Sequence, residues 1–504
     1  MIQTRTVTFV LTVLGILAAL PAHGANFYVD GNAAAGGTGG ADDPYLTVRD
    51  AYDAVETSGG SDTIWVADGT YNDAGENWSG MGEFSLTQSV NVLGGYSGYS
   101  GGAGDWTDAN RNPRSTVLDL AGSGTRAFSQ TTDPSGSQAF TFDGLSFRNA
   151  SHAGNGGAML FTETGQWDKT LQINDCLFED NSASEGGAVY STFKEGFSIN
   201  NCDFQDNTAT TGDGGGLWFH AERSDSVQQS TFQNNSADAG WGGGIYVQDS
   251  ANTPIIDSSF FSNSASSGGG VAGNGTGSDA NAYTLERVIL RGNNASTGAA
   301  VYKDLDTMLT LANAEITGNT GGFAVEGRTG RADGRLDSII HATIADNSGG
   351  GISILRHAWW TDGDARVLNN VIASNGAIGL DFSGDADNDF TLEYNDVWGH
   401  TTEYSGDATP GTGSMSLDPL FVNPDADDYT LQFGSPALDA GTDLGYTIDL
   451  LGDSRPQGGG YAMGTYETPT PEPGGAALLL LGALALISRR GAYDGDYYEK
   501  DTGR

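Results

Sequence analysis

The chain has 504 residues, with 22 Lys+Arg against 64 Asp+Glu, a formal charge of −42. With only four lysines it lacks the clustered cations that neutralise phosphate, which argues against nucleic acid as a partner and against adsorption to anionic lipid. Glycine is abundant at 77 residues but aperiodic, and apolar and aromatic residues are ample, so neither a collagen-like nor a disordered chain fits.

Residues 1–24 read as a secretory signal. Arg5 is the charged start, Val7 to Leu20 the apolar segment, and Ala22-His23-Gly24 a small-x-small site that places cleavage between Gly24 and Ala25. Residues 25–125 form an N-terminal cap and first coils. Within them Val48, Ala51, Tyr52 and Val55 recur at i, i+3, i+4, i+7, which predicts a short helix with Thr47 as its N-cap.

Residues 126–400 repeat. The frame INDCLFEDNSA from Ile173 returns as INNCDFQDNTA from Ile199, VQQSTFQNNSA from Val227 and IIDSSFFSNSA from Ile255, and persists to VLNNVIASNGA from Val367. Its asparagine falls at 181, 207, 235, 263, 293, 319, 347 and 375; Ala150 and His400 hold that place in weaker flanking copies. Alternation of period two makes the segments strands. A unit of about 28 residues cannot bury its own apolar face, so the units must stack as coils in parallel register, about 4.8 Å apart. About twelve coils follow, a rod roughly 55–60 Å long.

Stacking predicts columns. Phe178, Phe204, Phe232, Phe260, Leu290, Ile316, Ile344, Ile372 and Val397 should fill the interior. The asparagines should form an amide ladder at a corner, where their tolerance of left-handed backbone also helps. Cys176 and Cys202 are one coil apart, within disulfide range; because in-register strands point both side chains the same way, stacked free thiols are favoured over a bridge.

These features resemble the right-handed parallel β-helix of pectin-lyase-like secreted proteins, and imply an all-β solenoid over nearly the whole mature chain. The openings FYVDGNAAAGGTGGADDPYLTVRDAYDAV from Phe27 and DTIWVADGTY from Asp62 are similar to entry segments of such proteins. Residues 401–467, with DPLFVNPDADDYTLQFGSPALDAGT from Asp418 and RPQGGGYAMGTYE from Arg455, resemble the choice-of-anchor Q terminal module, although Ala462 stands where that module commonly has Asp. Residues 468–504 resemble a PEP-CTERM sorting signal: Pro471-Glu472-Pro473, an apolar run from Gly474 to Ile487, then Arg489 and Arg490. The chain departs from that pattern by continuing from Gly491 to Arg504. The resemblance implies exosortase-type machinery, transient membrane contact, and a surface or extracellular-matrix destination in a Gram-negative-type bacterium.

Function is read on the outer face of coils 188–305. If Val189, Leu217, Ile245, Val271 and Val301 point inward, then Tyr190, Trp218, Tyr246, Ala272 and Tyr302 line the exterior. Thr192, His220, Gln248, Asn274 and Asp304 lie two residues further along, and Trp241 sits in a long preceding loop. An aromatic stripe beside polar groups suits sugar rings; outward aromatic columns also stabilise sheets by cross-strand stacking alone. A structural or glycan-binding component of the envelope or matrix, its partner an exopolysaccharide or envelope glycan, is the leading reading. A polysaccharide lyase or glycoside hydrolase is the alternative, with His220 or Lys303 as base and Arg223 as carboxylate clamp, and Lys194 and Glu222 as further charged candidates. No polygalacturonase-like cluster of paired aspartates is evident on adjacent coils, which speaks against hydrolysis. Asp385, Asp387 and Asp389 have calcium-loop spacing but Phe390 replaces the turn glycine, and Asp425, Asp427 and Asp428 read as a turn; no metal site or cofactor is assigned, with calcium as the alternative.

Overall fold

The computed structural model describes residues 24–99, 104–132, 136–163, 165, 168–193, 196–220, 225–249, 251–275, 281–304, 307–329, 337–356, 365–383 and 390–468. The two terminal segments expected to be signals, 1–24 and 468–504, except Gly24 and Thr468, and the spaced aspartates 385, 387 and 389 lie outside the described residues.

Strands of the same kind stack from coil to coil in three long parallel sheets of 13, 12 and 12 strands, in agreement with about twelve coils. One coil runs through Phe197–Asn200 in the first sheet, Asp203–Gln205 in the second and Leu217–His220 in the third. A fourth, six-stranded sheet, including Thr208–Ala209, lies between the second and third, where loops are expected from the sequence. In-register pairing puts like residues on like. Phe178, Phe204, Phe232 and Phe260 stack with ring centroids 4.6–5.1 Å apart, and the column continues fully buried through Leu290, Ile316, Ile344, Ile372 and Val397. Such ring pairs contribute about 0.5–1.5 kcal/mol each beyond burial of area.

The asparagine ladder is present and buried. Each Oδ1 accepts both the backbone N–H and the side-chain N–H of the asparagine one coil earlier, as Asn235 does from Asn207 at 3.1 and 2.9 Å. Ala150 opens the ladder through its N–H to Asn181 Oδ1, and His400 Nε2 closes it 3.4 Å from Asn375 Nδ2. The expected left-handed backbone falls elsewhere. Asp180, Asp206, Asn234, Ser262, Gly292 and Gly318, each one residue before the ladder, carry φ near +60°. The corner turns on that residue, and the asparagine after it is free to point inward and bond along the axis. A second left-handed corner runs through Asp175, Asn201, Gln229 and Asp257.

Cys176 and Cys202 are buried free thiols, with Cys176 N–H 3.4 Å from Cys202 Sγ. The site asks for a buried acceptor, because Ser230 Oγ takes the Cys202 N–H in the next coil.

The N-terminal helix spans Val48–Ser58, and Thr47 Oγ1 accepts the Asp50 N–H as its cap. Val48, Ala51 and Val55 bury against the first coils, while Tyr52 stacks on Phe84 at 4.8 Å. Glu76 receives the Val48 and Arg49 N–H groups at 2.8 Å each, yet burial pushes its carboxyl up to about 7. At the other end burial pushes Asp396 up to about 6. Both carboxyls bind protons more tightly folded than unfolded, so their contribution is present at low pH and lost as pH rises from about 4 to about 7. The unfolding midpoint in urea is therefore expected to be higher at pH 5 than at pH 8, with a smaller difference in Glu76→Gln. A lower midpoint at pH 5 would contradict this linkage.

The last coil is covered by residues 407–417, where Gly411 N–H bonds Leu392 O and Val397 N–H bonds Met415 O. The chain then returns along the outer face of the second sheet. Leu431, Ala437, Ala462 and Met463 pack on Val371 and Ala373, and the Tyr466 hydroxyl donates to buried Glu315, itself paired with Arg291. Asp427 belongs to a turn and pairs with Arg291 at 2.9 Å.

Candidate functional site: an aromatic trough on the third sheet

The third sheet brings Leu160, Tyr190, Trp218, Tyr246, Ala272, Tyr302 and Glu326 into one register on its outer side. The stripe is real but not open. Trp218, Tyr246 and Tyr302 are 5%, 3% and 4% exposed and form a separate apolar cluster, with Tyr190 and Trp241 half-buried at its rim. Tyr190 stacks on Trp218 at 4.1 Å. Ala272 leaves a gap between two tyrosines, and Trp241 fills it, edge-on at 6.3 Å from Tyr246 and 5.3 Å from Tyr302. Trp241 lies at the end of a fourth-sheet strand, Ser236–Trp241, so the expected loop wall is a sheet wall that covers the stripe.

The wall is held close by paired glycines. Gly156, Gly186, Gly214, Gly242 and Gly268 have φ between +58° and +71°, and a Cβ on the following Gly157, Gly187, Gly215, Gly243 or Gly269 would sit 2.0–2.5 Å from a carbonyl oxygen of the next coil. Only glycine permits both the left-handed turn and that approach. The residue before each pair forms its own column: Asn155, Glu185, Asp213, Trp241 and Ser267, joined by backbone bonds such as Gly186 N–H to Asp213 O at 2.9 Å.

That column places one glutamate and one aspartate, Glu185 and Asp213, on adjacent coils, and the recurring x-Gly-Gly triplets are the signal that could have found them. Burial raises the Glu185 carboxyl, and Asp213 raises it further. Burial also raises Asp213, against the 2.8 Å hydrogen bond from Trp241 N–H. Asn155 Nδ2 donates to Glu185 at 2.8 Å. Burial, then Glu185, pushes the Tyr190 hydroxyl up to about 12; burial, then Asp304, does the same for Tyr302.

At the N-terminal end of the trough three successive coils bring together Glu83, Arg126 and His152, which no repeat or motif marks in the sequence. Buried Arg126 bonds Glu83 at 2.8 Å, Gly156 O at 3.1 Å, Asn155 O at 2.9 Å and His152 Nδ1 at 2.6 Å. Gly154 N–H also donates to that Nδ1 at 2.9 Å. An acceptor at Nδ1 leaves the proton on Nε2, and burial together with Arg126 holds the ring below its usual pKa. His152 is a neutral donor of fixed tautomer.

The other candidates separate. Lys303 does not reach the outer face: it shares the parity of Val301, is 2% exposed, and pairs inside with Asp337 at 2.7 Å while donating to Thr307 O at 3.0 Å. Gly273 and Gly327 flank it in register; Gly327 leaves the room its stem occupies, and Gly273 makes way for the Tyr283 ring. His220 and Gln248 are half-buried neighbours in register, and Asp304 Oδ1 lies 3.8 Å from Arg328. Arg223, Glu222 and Lys194 lie outside the described residues. Among the described residues no group of three or more His, Cys, Asp or Glu is placed to hold a metal.

A family model described as a right handed beta helix region matches residues 114–284. The fold is a right-handed parallel β-helix. A search of curated proteins finds no match. Among solved structures the β-helix is similar to a mannuronic acid specific family 6 polysaccharide lyase from human gut microbiota, at 14% identity over 71% of this chain and 82% of that one, TM-score 0.39. It is also similar to the A-module of the Azotobacter vinelandii mannuronan C-5 epimerase, at 14% identity over 74% and 94%, TM-score 0.29. A rhamnogalacturonan lyase matches at 13% identity over 79% and 91%, TM-score 0.29. None of these carries a residue assignment over to this β-helix.

Proposed function

We propose that this is an exported, surface-sorted β-helix whose trough binds a neutral, hydroxyl-rich glycan of the envelope or matrix. The carrying observation is the rim of the trough. Half-buried Tyr190 and Trp241 supply aromatic rings, and acceptors Asn155, Glu185 and Asp213 occupy three successive coils of the column that Trp241 continues. A coil rise of about 4.8 Å is close to the length of one extended sugar unit, so a chain lying along the axis meets one such group per unit. The acidic lining disfavours a uronate polymer, and the inward turn of Lys303 takes from the lyase reading one of its two bases. Support for export and sorting is the pair of sequence signals, with exosortase-type machinery and brief membrane contact at the C-terminal end.

A panel of neutral and acidic glycans, scored for both binding and cleavage, tests the reading. Tyr190→Ala is expected to weaken neutral-glycan binding tenfold or more with little change in melting temperature, whereas Trp218→Ala lowers stability by about 3 kcal/mol, as a buried aromatic should. Cleavage abolished by His220→Ala or by Glu185→Gln would overturn the binding role in favour of a lyase or a hydrolase.

A further inference from the structure

Large apolar side chains left in water are concentrated on one element. Among the described residues eight are exposed, and six of them, Leu417, Leu420, Val422, Phe433, Ile448 and Leu451, belong to the C-terminal module. Its hairpin pairs Phe421 opposite Leu431, and these two face the β-helix. Alternation along the strand Phe421–Asn423 turns Val422, 46% exposed, to the opposite side, and Leu420, 37% exposed, precedes it on left-handed backbone with φ 53°. Phe433, 71% exposed, follows the hairpin beside Leu420, whose carbonyl accepts the Gln432 N–H at 2.9 Å.

The chain leaves the described structure at the same place: Thr468 Oγ1 bonds Leu431 O at 3.2 Å. Six residues later begins the apolar run Gly474–Ile487, so the tether reaches at most about 20 Å. We propose that in the unprocessed chain this run docks on the hairpin face of Leu420, Val422 and Phe433, which shields both from water. Other occupants fit less well. Three side chains fall far short of the roughly 800 Å² per partner of a stable dimer, and a charge of −42 opposes both a second copy and an anionic lipid surface. A short tether, by contrast, supplies an effective concentration of about millimolar, enough for a small contact. Arg489 and Arg490 follow the run, and Asp418, Asp425 and Asp428 border the hairpin with opposite charge. The contact stands whether or not the trough binds a glycan.

Limited chymotrypsin digestion of the full chain, with mass spectrometry of cuts between Leu478 and Leu486, tests it. Val422→Asp combined with Phe433→Asp is expected to speed those cuts at least tenfold, and Met81→Asp, at an exposed apolar residue far from the hairpin, to leave the rate unchanged. Val422→Thr with Phe433→Ser serves if the acidic pair lowers the melting temperature. Equal rates in parent and double variant overturn the proposal. So does a parent that sediments as a dimer and becomes monomeric in the double variant, because the face would then belong to a second copy.

Discussion

Lys303→Ala is expected to destabilise the protein by about 3–5 kcal/mol, read as a fall in the urea midpoint, because it strands the Asp337 charge in the interior. Asp337 is 5% exposed and holds Lys303 Nζ at 2.7 Å and the Leu309 N–H at 2.9 Å. Lys303→Met together with Asp337→Asn should recover most of the loss, since the amide oxygen still accepts from Leu309 while no charge remains buried. A lysine acting as a base on the surface predicts the reverse pattern, loss of an activity with stability unchanged. A midpoint within error of the parent would return Lys303 to the list of outer-face residues.

Asn235→Ala is expected to cost about 3 kcal/mol or more, because buried hydrogen-bonding groups left without partners cost about 1–3 kcal/mol each. Its Oδ1 serves the backbone and side chain of Asn207, and its Nδ2 donates to Phe204 O at 2.9 Å and Asn263 Oδ1 at 3.0 Å. Three coils are thus joined by one side chain. Asn294→Ala, one residue after another ladder position but exposed and with its side chain bonded to Thr320, should stay within about 0.5 kcal/mol. Similar losses for the two would mean that the ladder adds nothing beyond the surface hydrogen bond.

The coil, its interior and its ladder were legible in the sequence because in-register parallel stacking places identical positions on one another, so a step of 26 to 30 residues is itself a list of neighbours. Phe178, Phe204, Phe232 and Phe260 could be aligned by counting, and so could Cys176 above Cys202. The same counting puts Asn155, Glu185 and Asp213 before successive glycine pairs, although their chemistry shows only when the glycines are recognised as a corner. Periodicity reports which side of a strand a residue occupies and says nothing of what covers that side. Tyr190 and Trp218 lie outside the sheet as expected, yet Trp218 is buried, because Trp241 from a fourth sheet fills the space that Ala272 leaves. For Lys303 the parity pointed inward and the charge argued outward. Only the tertiary structure decided, by placing glycines above and below it and Asp337 of another coil within reach. The return of the C-terminal module along the second sheet was equally invisible to counting. It rests on unrepeated contacts, Tyr466 to Glu315 and Tyr429 to Asp346, between residues 151 and 83 positions apart, for which a one-dimensional repeat has no signal.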